Sequence, residues 1–187
     1  MKSFFIIFVS LFIWRESSGQ DKIPASLYQE AINSYRGPIH IYYMDSAMLP
    51  HRNLSYYSRK RKIQGHYDLK GNEPRSLKFT KRQIKELNTS IKNLKPQQWP
   101  DDMFKISTRL TQDSLLTFTK YLSNFDSNRS YKYYYYFSPI AFTSDSTIAI
   151  FRMAEMITPS AGYDFLIIYI KKDGIWKRKL IKHIGSW

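Results

Sequence analysis

The chain has 187 residues, carries 29 Lys+Arg against 15 Asp+Glu for a formal net charge of +14, and contains no cysteine. That length suits one domain with at most a small appendage. The missing cysteine excludes disulfides, Cys-ligated zinc, thiol nucleophiles and a Cys-linked lipid anchor, while a 43% hydrophobic and 17% aromatic content excludes wholesale disorder.

Residues 1–19 read as a secretory signal peptide, the rival reading being a retained membrane anchor. Lys2 is the positive start, and Ser3 to Trp14 is almost wholly apolar. About 12 apolar residues are too few to span a bilayer, which needs about 20 in a helix, but suit the core of a signal sequence. Ser17 and Gly19 are the small residues expected before a cut at Gln20. Removing Lys2, Arg15 and Glu16 would leave 27 basic and 14 acidic residues, +13, on a single domain over 20–187.

The next element is a helix over 24–36, with Pro24 in its first turn and Leu27, Ala31 and Tyr35 at four-residue spacing. Gly37-Pro38 ends it, and Ile39 to Met44 is β-branched and aromatic enough for a short strand. Residues 45–74 are polar and contain Pro50, Gly65, Gly71 and Pro74 together with the run Arg59-Lys60-Arg61-Lys62. They predict a long basic surface loop, with a strand near Ile63 to Leu69; a loop of that length is either functional or mobile.

Ser76 to Phe79 predicts a short strand entering a clearer helix. Thr80 followed by Gln83 has capping-box spacing, and Ile84, Leu87, Ile91 and Leu94 fall on one face before Pro96. Trp99 to Phe104 (WPDDMF) is a turn whose large apolar groups should plug the core. A further helix is expected over 112–124, with Leu115, Phe118, Thr119 and Leu122 on one side. From Tyr131 the pattern turns to β, with strands near 132–142, 147–157, 164–171 and 175–184. Asp173-Gly174 between two apolar runs is a strong hairpin signal. Phe165 to Ile170 (FLIIYI) is apolar at every position and should be covered on both faces. The expected architecture is α+β, with N-terminal helices packed on a C-terminal antiparallel meander of about four strands over 131–187.

Several stretches together resemble uncharacterised secreted proteins of the Bacteroidota: Phe79 to Leu94, Trp99 to Phe104, Tyr136 to Phe142 (YFSPIAF), Lys172 to Trp176 (KDGIW) and the final Trp187. The resemblance covers about 110 residues, mostly 77–187. It implies export across an inner membrane and a small α+β fold, and it supplies no catalytic residues. Members often carry a Cys/Gly-rich loop where this chain has Thr158 to Gly162, without cysteine.

Charge is the clearest functional signal. Residues 51–95 hold 13 basic and 3 acidic residues, a local +10, and residues 171–183 hold 6 and 1, a local +5. Concentrated positive charge attracts polyanions, which in an envelope are lipopolysaccharide, anionic headgroups or extracellular DNA. Arg59, Lys60, Arg61 and Lys62 are therefore the first candidate binding residues, the alternative being that Lys and Arg simply solubilise a basic domain. Tyr134 and Tyr136 are the second: they share the face of a strand opposite Tyr133, Tyr135 and Phe137 and would form an aromatic platform if exposed, the alternative being sheet packing through cross-strand aromatic pairs.

His40, His51, His66 and His183 show no metal-binding spacing, and no phosphate loop or nucleophile elbow occurs. The expectation is a non-enzymatic binding domain, needing no cofactor or metal, in the periplasm or outside the cell. Two alternatives have their own signatures. A secreted hydrolase would need His66 or His183 in a cleft with acidic residues, and an envelope assembly partner would need the Tyr-rich strand at a free sheet edge.

Overall fold

The computed structural model describes residues 22–36, 41–47, 54, 60–65, 76–95, 97–101, 103–105, 107–111, 133–158 and 161–186. The helix expected over 112–124 lies outside these residues, as do Arg59, His40, His51 and His66. No helix among the described residues is long and apolar enough to cross a membrane.

The fold is α+β. Among the described residues there are two helices, α1 (Lys22–Arg36) and α2 (Lys81–Asn93), and nine strands: β1 (Ile41–Met44), β2 (Lys62–Gln64), β3 (Ser76–Lys78), β4 (Ser107–Leu110), β5 (Tyr134–Phe137), β6 (Ala141–Phe142), β7 (Ile148–Thr158), β8 (Ala161–Lys172) and β9 (Ile175–Ser186). Seven strands form one sheet in the order β4-β1-β5-β7-β8-β9, with β6 continuing along β7 beyond β5. The expected four-strand antiparallel meander is thus only part of the sheet. β1 pairs in parallel with both β4 and β5, which makes the sheet mixed. The helices are not a leading N-terminal block either, because α2 follows β1, β2 and β3. Parallel partners are joined by long crossovers, so local sequence pattern carries no trace of that pairing.

Within the meander, local rules hold. The β8–β9 connection places Asp173 at φ 52° and Gly174 at φ 77°, the two left-handed residues of a type I′ turn. The segment expected as one strand over 132–142 is two, broken at Ser138-Pro139. Proline has no N–H for the ladder, and Ser138 repairs the join. Its N–H donates to the Arg152 carbonyl at 2.9 Å, and its Oγ accepts from the Arg152 N–H at 2.8 Å. The Ser138 carbonyl is thereby released to accept from the Tyr28 hydroxyl at 2.6 Å, tying α1 to the sheet.

β8 is covered on both faces, as its composition requires. Phe165, Ile167 and Tyr169 point to the first face, where Leu27, Tyr28, Ala31 and Ile32 of α1 pack with Trp99, Met103 and Phe104. Leu166 and Ile168 point to the second, against Leu87 of α2, Phe79, Leu54 and Ile63. The Trp99–Phe104 turn is the expected core plug, and Trp99 meets Tyr28 edge-on at 5.5 Å. Thr80 caps α2 with Gln83 in a complete capping box, and Leu87 is its buried anchor with Ile84, Ile91 and Leu94 half-buried beside it.

Candidate anion-binding surface

Within the expected 45–74 loop lies an ordered strand. β2 pairs with β3 as a short antiparallel ribbon, separate from the main sheet, with Lys62 directly opposite Lys78 and Ile63 opposite Leu77. Ile63 faces the core and is fully buried, so alternation sends Lys62 and Gln64 outward. Lys60, Arg61, Lys62 and Lys78 are all exposed. Among the described residues none of these four forms an ion pair.

The ribbon carries two local costs. Lys60 and Arg61 both adopt left-handed backbone, φ 50° and 63°. That conformation crowds a Cβ and disfavours Lys and Arg by about 1 kcal/mol each. Elsewhere the same chain gives its consecutive left-handed pair to Asp173-Gly174, where glycine removes the penalty at the second position. The second cost is the Lys62–Lys78 pair, since like charges directly across a ladder repel.

The ribbon docks on β9. At Gly65 an added Cβ would lie 2.5 Å from Leu180 Cδ1 and 3.0 Å from the Ile181 carbonyl oxygen, so the absence of a side chain permits this approach. Lys182 Nζ donates to the Gln64 carbonyl at 3.3 Å. Lys182 and Lys177 pair across the ladder with Leu166 and Ile170, and directly opposed residues share a face. Leu166 and Ile170 belong to the second-face cluster. The two basic segments of the sequence, far apart along the chain, therefore put cations on one side of the sheet. Lys81, Arg82, Lys85 and Lys92, all exposed on α2, extend the same layer, and the one acidic side chain of that helix, Glu86, is bound by Arg82 at 2.6 Å.

Of the two readings of the tyrosine run, cross-strand packing is the one that Tyr134 follows. Tyr134 is 1% exposed, and its ring meets cross-strand Tyr42 at 5.5 Å. Tyr136 is half-buried. Burial raises the phenol pKa of both. Tyr134 is packed within the sheet and Tyr136 is half-covered, so the two do not make an exposed platform; β1 and β7 pair with β5 on either side. The same pairing removes the Tyr-rich strand as a free edge. His183 packs against the rings of Tyr163 and Phe165 at 5.8 Å each.

The sequence reading missed one ionic feature. Arg152 on β7 and Asp164 on β8 form a bidentate pair, with Nε 2.7 and 2.8 Å from the two carboxylate oxygens. Their side chains are only 13% and 9% exposed. They are diagonal neighbours on the second face, since Arg152 pairs with Leu166 and Asp164 with Ala154. Opposite charge inside apolar strands was the available signal, but only the register reveals that the two meet. Among the described residues no three His, Asp or Glu side chains converge as a metal site.

No family model, no curated protein and no solved structure matches this chain.

Proposed function

We propose that the protein is an exported, non-enzymatic domain of the bacterial envelope that binds polyanions on the surface formed by β2, β3, α2 and β9. The observation that carries this reading is the exposed Lys60–Lys62 turn and ribbon, where strained backbone and like-charge pairing coincide. Departures from locally optimal choices concentrate at functional positions. Here both departures have the same result: they crowd uncompensated cations onto one face beside Lys177 and Lys182. A polyanion spanning that face neutralises the repulsion and releases its own counterions. The apolar run before Arg15 and the resemblance to secreted Bacteroidota proteins support export.

Titration of the protein with lipopolysaccharide, heparin and DNA at two salt concentrations tests the proposal. Binding that weakens steeply with added salt is expected. Absence of binding to all three at low salt would end it.

A further inference from the structure

The solvent side of α2 forms one wall of a groove, and the other wall is β6 with the turn that follows it. The groove has a volume of about 490 Å³, within the range of about 300–1,000 Å³ usual for small-ligand clefts. Along the helix Arg82, Glu86, Ser90 and Asn93 line it at successive turns, and Phe142 and Ser144 face them.

These groups are held in place. The Glu86 carboxylate accepts from Arg82 Nε at 2.6 Å and from the Ser144 N–H at 3.2 Å. Both contacts hold its pKa below the usual carboxylate range, led by the Arg82 hydrogen bond. Ser90 Oγ accepts from the Phe142 N–H at 3.1 Å, which occupies an otherwise open edge of β6 and leaves the Ser90 hydroxyl hydrogen to donate. The 143–147 turn is fixed by Asp145, whose carboxylate accepts from the Thr143 and Thr147 hydroxyls at 2.6 and 2.8 Å.

The groove therefore presents a fixed acceptor, Glu86, among donors and a bifunctional amide. A sulfate or a phosphodiester is acceptor-only and is repelled by that carboxylate. A hydroxyl donates and accepts, and satisfies both kinds of partner. Arg82 and Lys85 also line the groove and offer cations to an acidic substituent. We propose that this groove seats one hydroxyl-rich sugar unit of an anionic polysaccharide, whose charged groups run on along the basic surface. The inference rests on the polyanion reading and names the class of polyanion.

The test is titration of the full chain with a heparin tetrasaccharide and with a single-stranded DNA oligonucleotide of matched charge. Glu86→Gln is expected to weaken the tetrasaccharide about tenfold, the loss of a hydrogen bond to a charged group, while DNA binding stays equal or tightens. Simple charge attraction requires the opposite for the sugar, because the substitution removes a negative charge. Asn93→Ala, in the exposed last turn, is expected to weaken the tetrasaccharide and spare DNA, which keeps the test valid if Glu86→Gln lowers the melting temperature. Unchanged or tighter tetrasaccharide binding in both variants overturns the groove assignment while wild-type binding still upholds the surface. Equal weakening of both probes overturns the choice of sugar over nucleic acid. Failure of the wild type to bind either probe overturns the polyanion reading itself.

Discussion

The Lys60–Arg61 turn offers a test in which stability and binding should move in opposite directions. Replacing the pair by Asn-Gly keeps a left-handed turn but supplies the residues that such turns favour. Each non-glycine residue with φ near 50–63° carries roughly 1 kcal/mol of conformational cost. Glycine returns about half of its share through the larger entropy of the unfolded chain, and asparagine relieves only part of its own. The net gain is about 1 kcal/mol, or about 2–4 °C in melting temperature for a domain of this size. The substitution also removes two exposed cations, so the salt dependence of single-stranded DNA affinity should fall by about 1.4 in log–log slope. Urea unfolding and salt-dependent titration of the same variant measure both quantities, with Lys60→Ala/Arg61→Ala as the control that removes charge without relieving the backbone. No gain in stability would refute the strain argument, and a stabilised variant with an unchanged salt slope would remove the turn from the binding surface.

Three further outcomes follow from the geometry. Arg152→Ala leaves the Asp164 carboxylate buried without its partner and should cost about 3–5 kcal/mol in denaturant unfolding; a loss under 1 kcal/mol would show that the pair is solvated. Gly65→Ala places a methyl 2.5 Å from Leu180 Cδ1, so hydrogen exchange should show the β2–β3 ribbon opening more readily while β7 and β8 keep their protection. Hydrogen bonds from Thr143 first, then Thr147, lower the Asp145 pKa from 3.8 to about 2. A depressed carboxylate stabilises the fold above its unfolded pKa, and that contribution fades as pH falls from 3.8 towards 2. Asp145→Asn should flatten stability over that window and leave its slope near neutrality unchanged.

Elements whose partners are close in sequence were legible from the sequence. The capping box at Thr80 and Gln83, the Asp173-Gly174 hairpin and the two-sided apolar run of β8 all follow from rules acting over a few residues. The Trp99–Phe104 plug was legible because so much aromatic bulk has nowhere to go but the core. β4 was not: Ser107–Leu110 has one apolar residue in four and gains strand structure only by pairing with β1. The break at Ser138-Pro139 was visible as a proline, but the serine that repairs it depends on β7 lying alongside. Tyr134 shows the same limit, since alternation assigns it a face but not what covers that face. The two basic segments were each visible as charge runs; their union depends on Gly65 allowing the ribbon to reach Leu180.

On the proposed function, these two segments act as one anion-binding surface. The direct measurement is the salt dependence of single-stranded DNA affinity for wild type, Lys62→Gln/Lys78→Gln, Lys177→Gln/Lys182→Gln and all four substitutions together. Each pair should lower the log–log slope by about 1.4 and the fourfold variant by about twice that. A slope that responds to one pair alone, or to neither, would contradict a surface built from both segments.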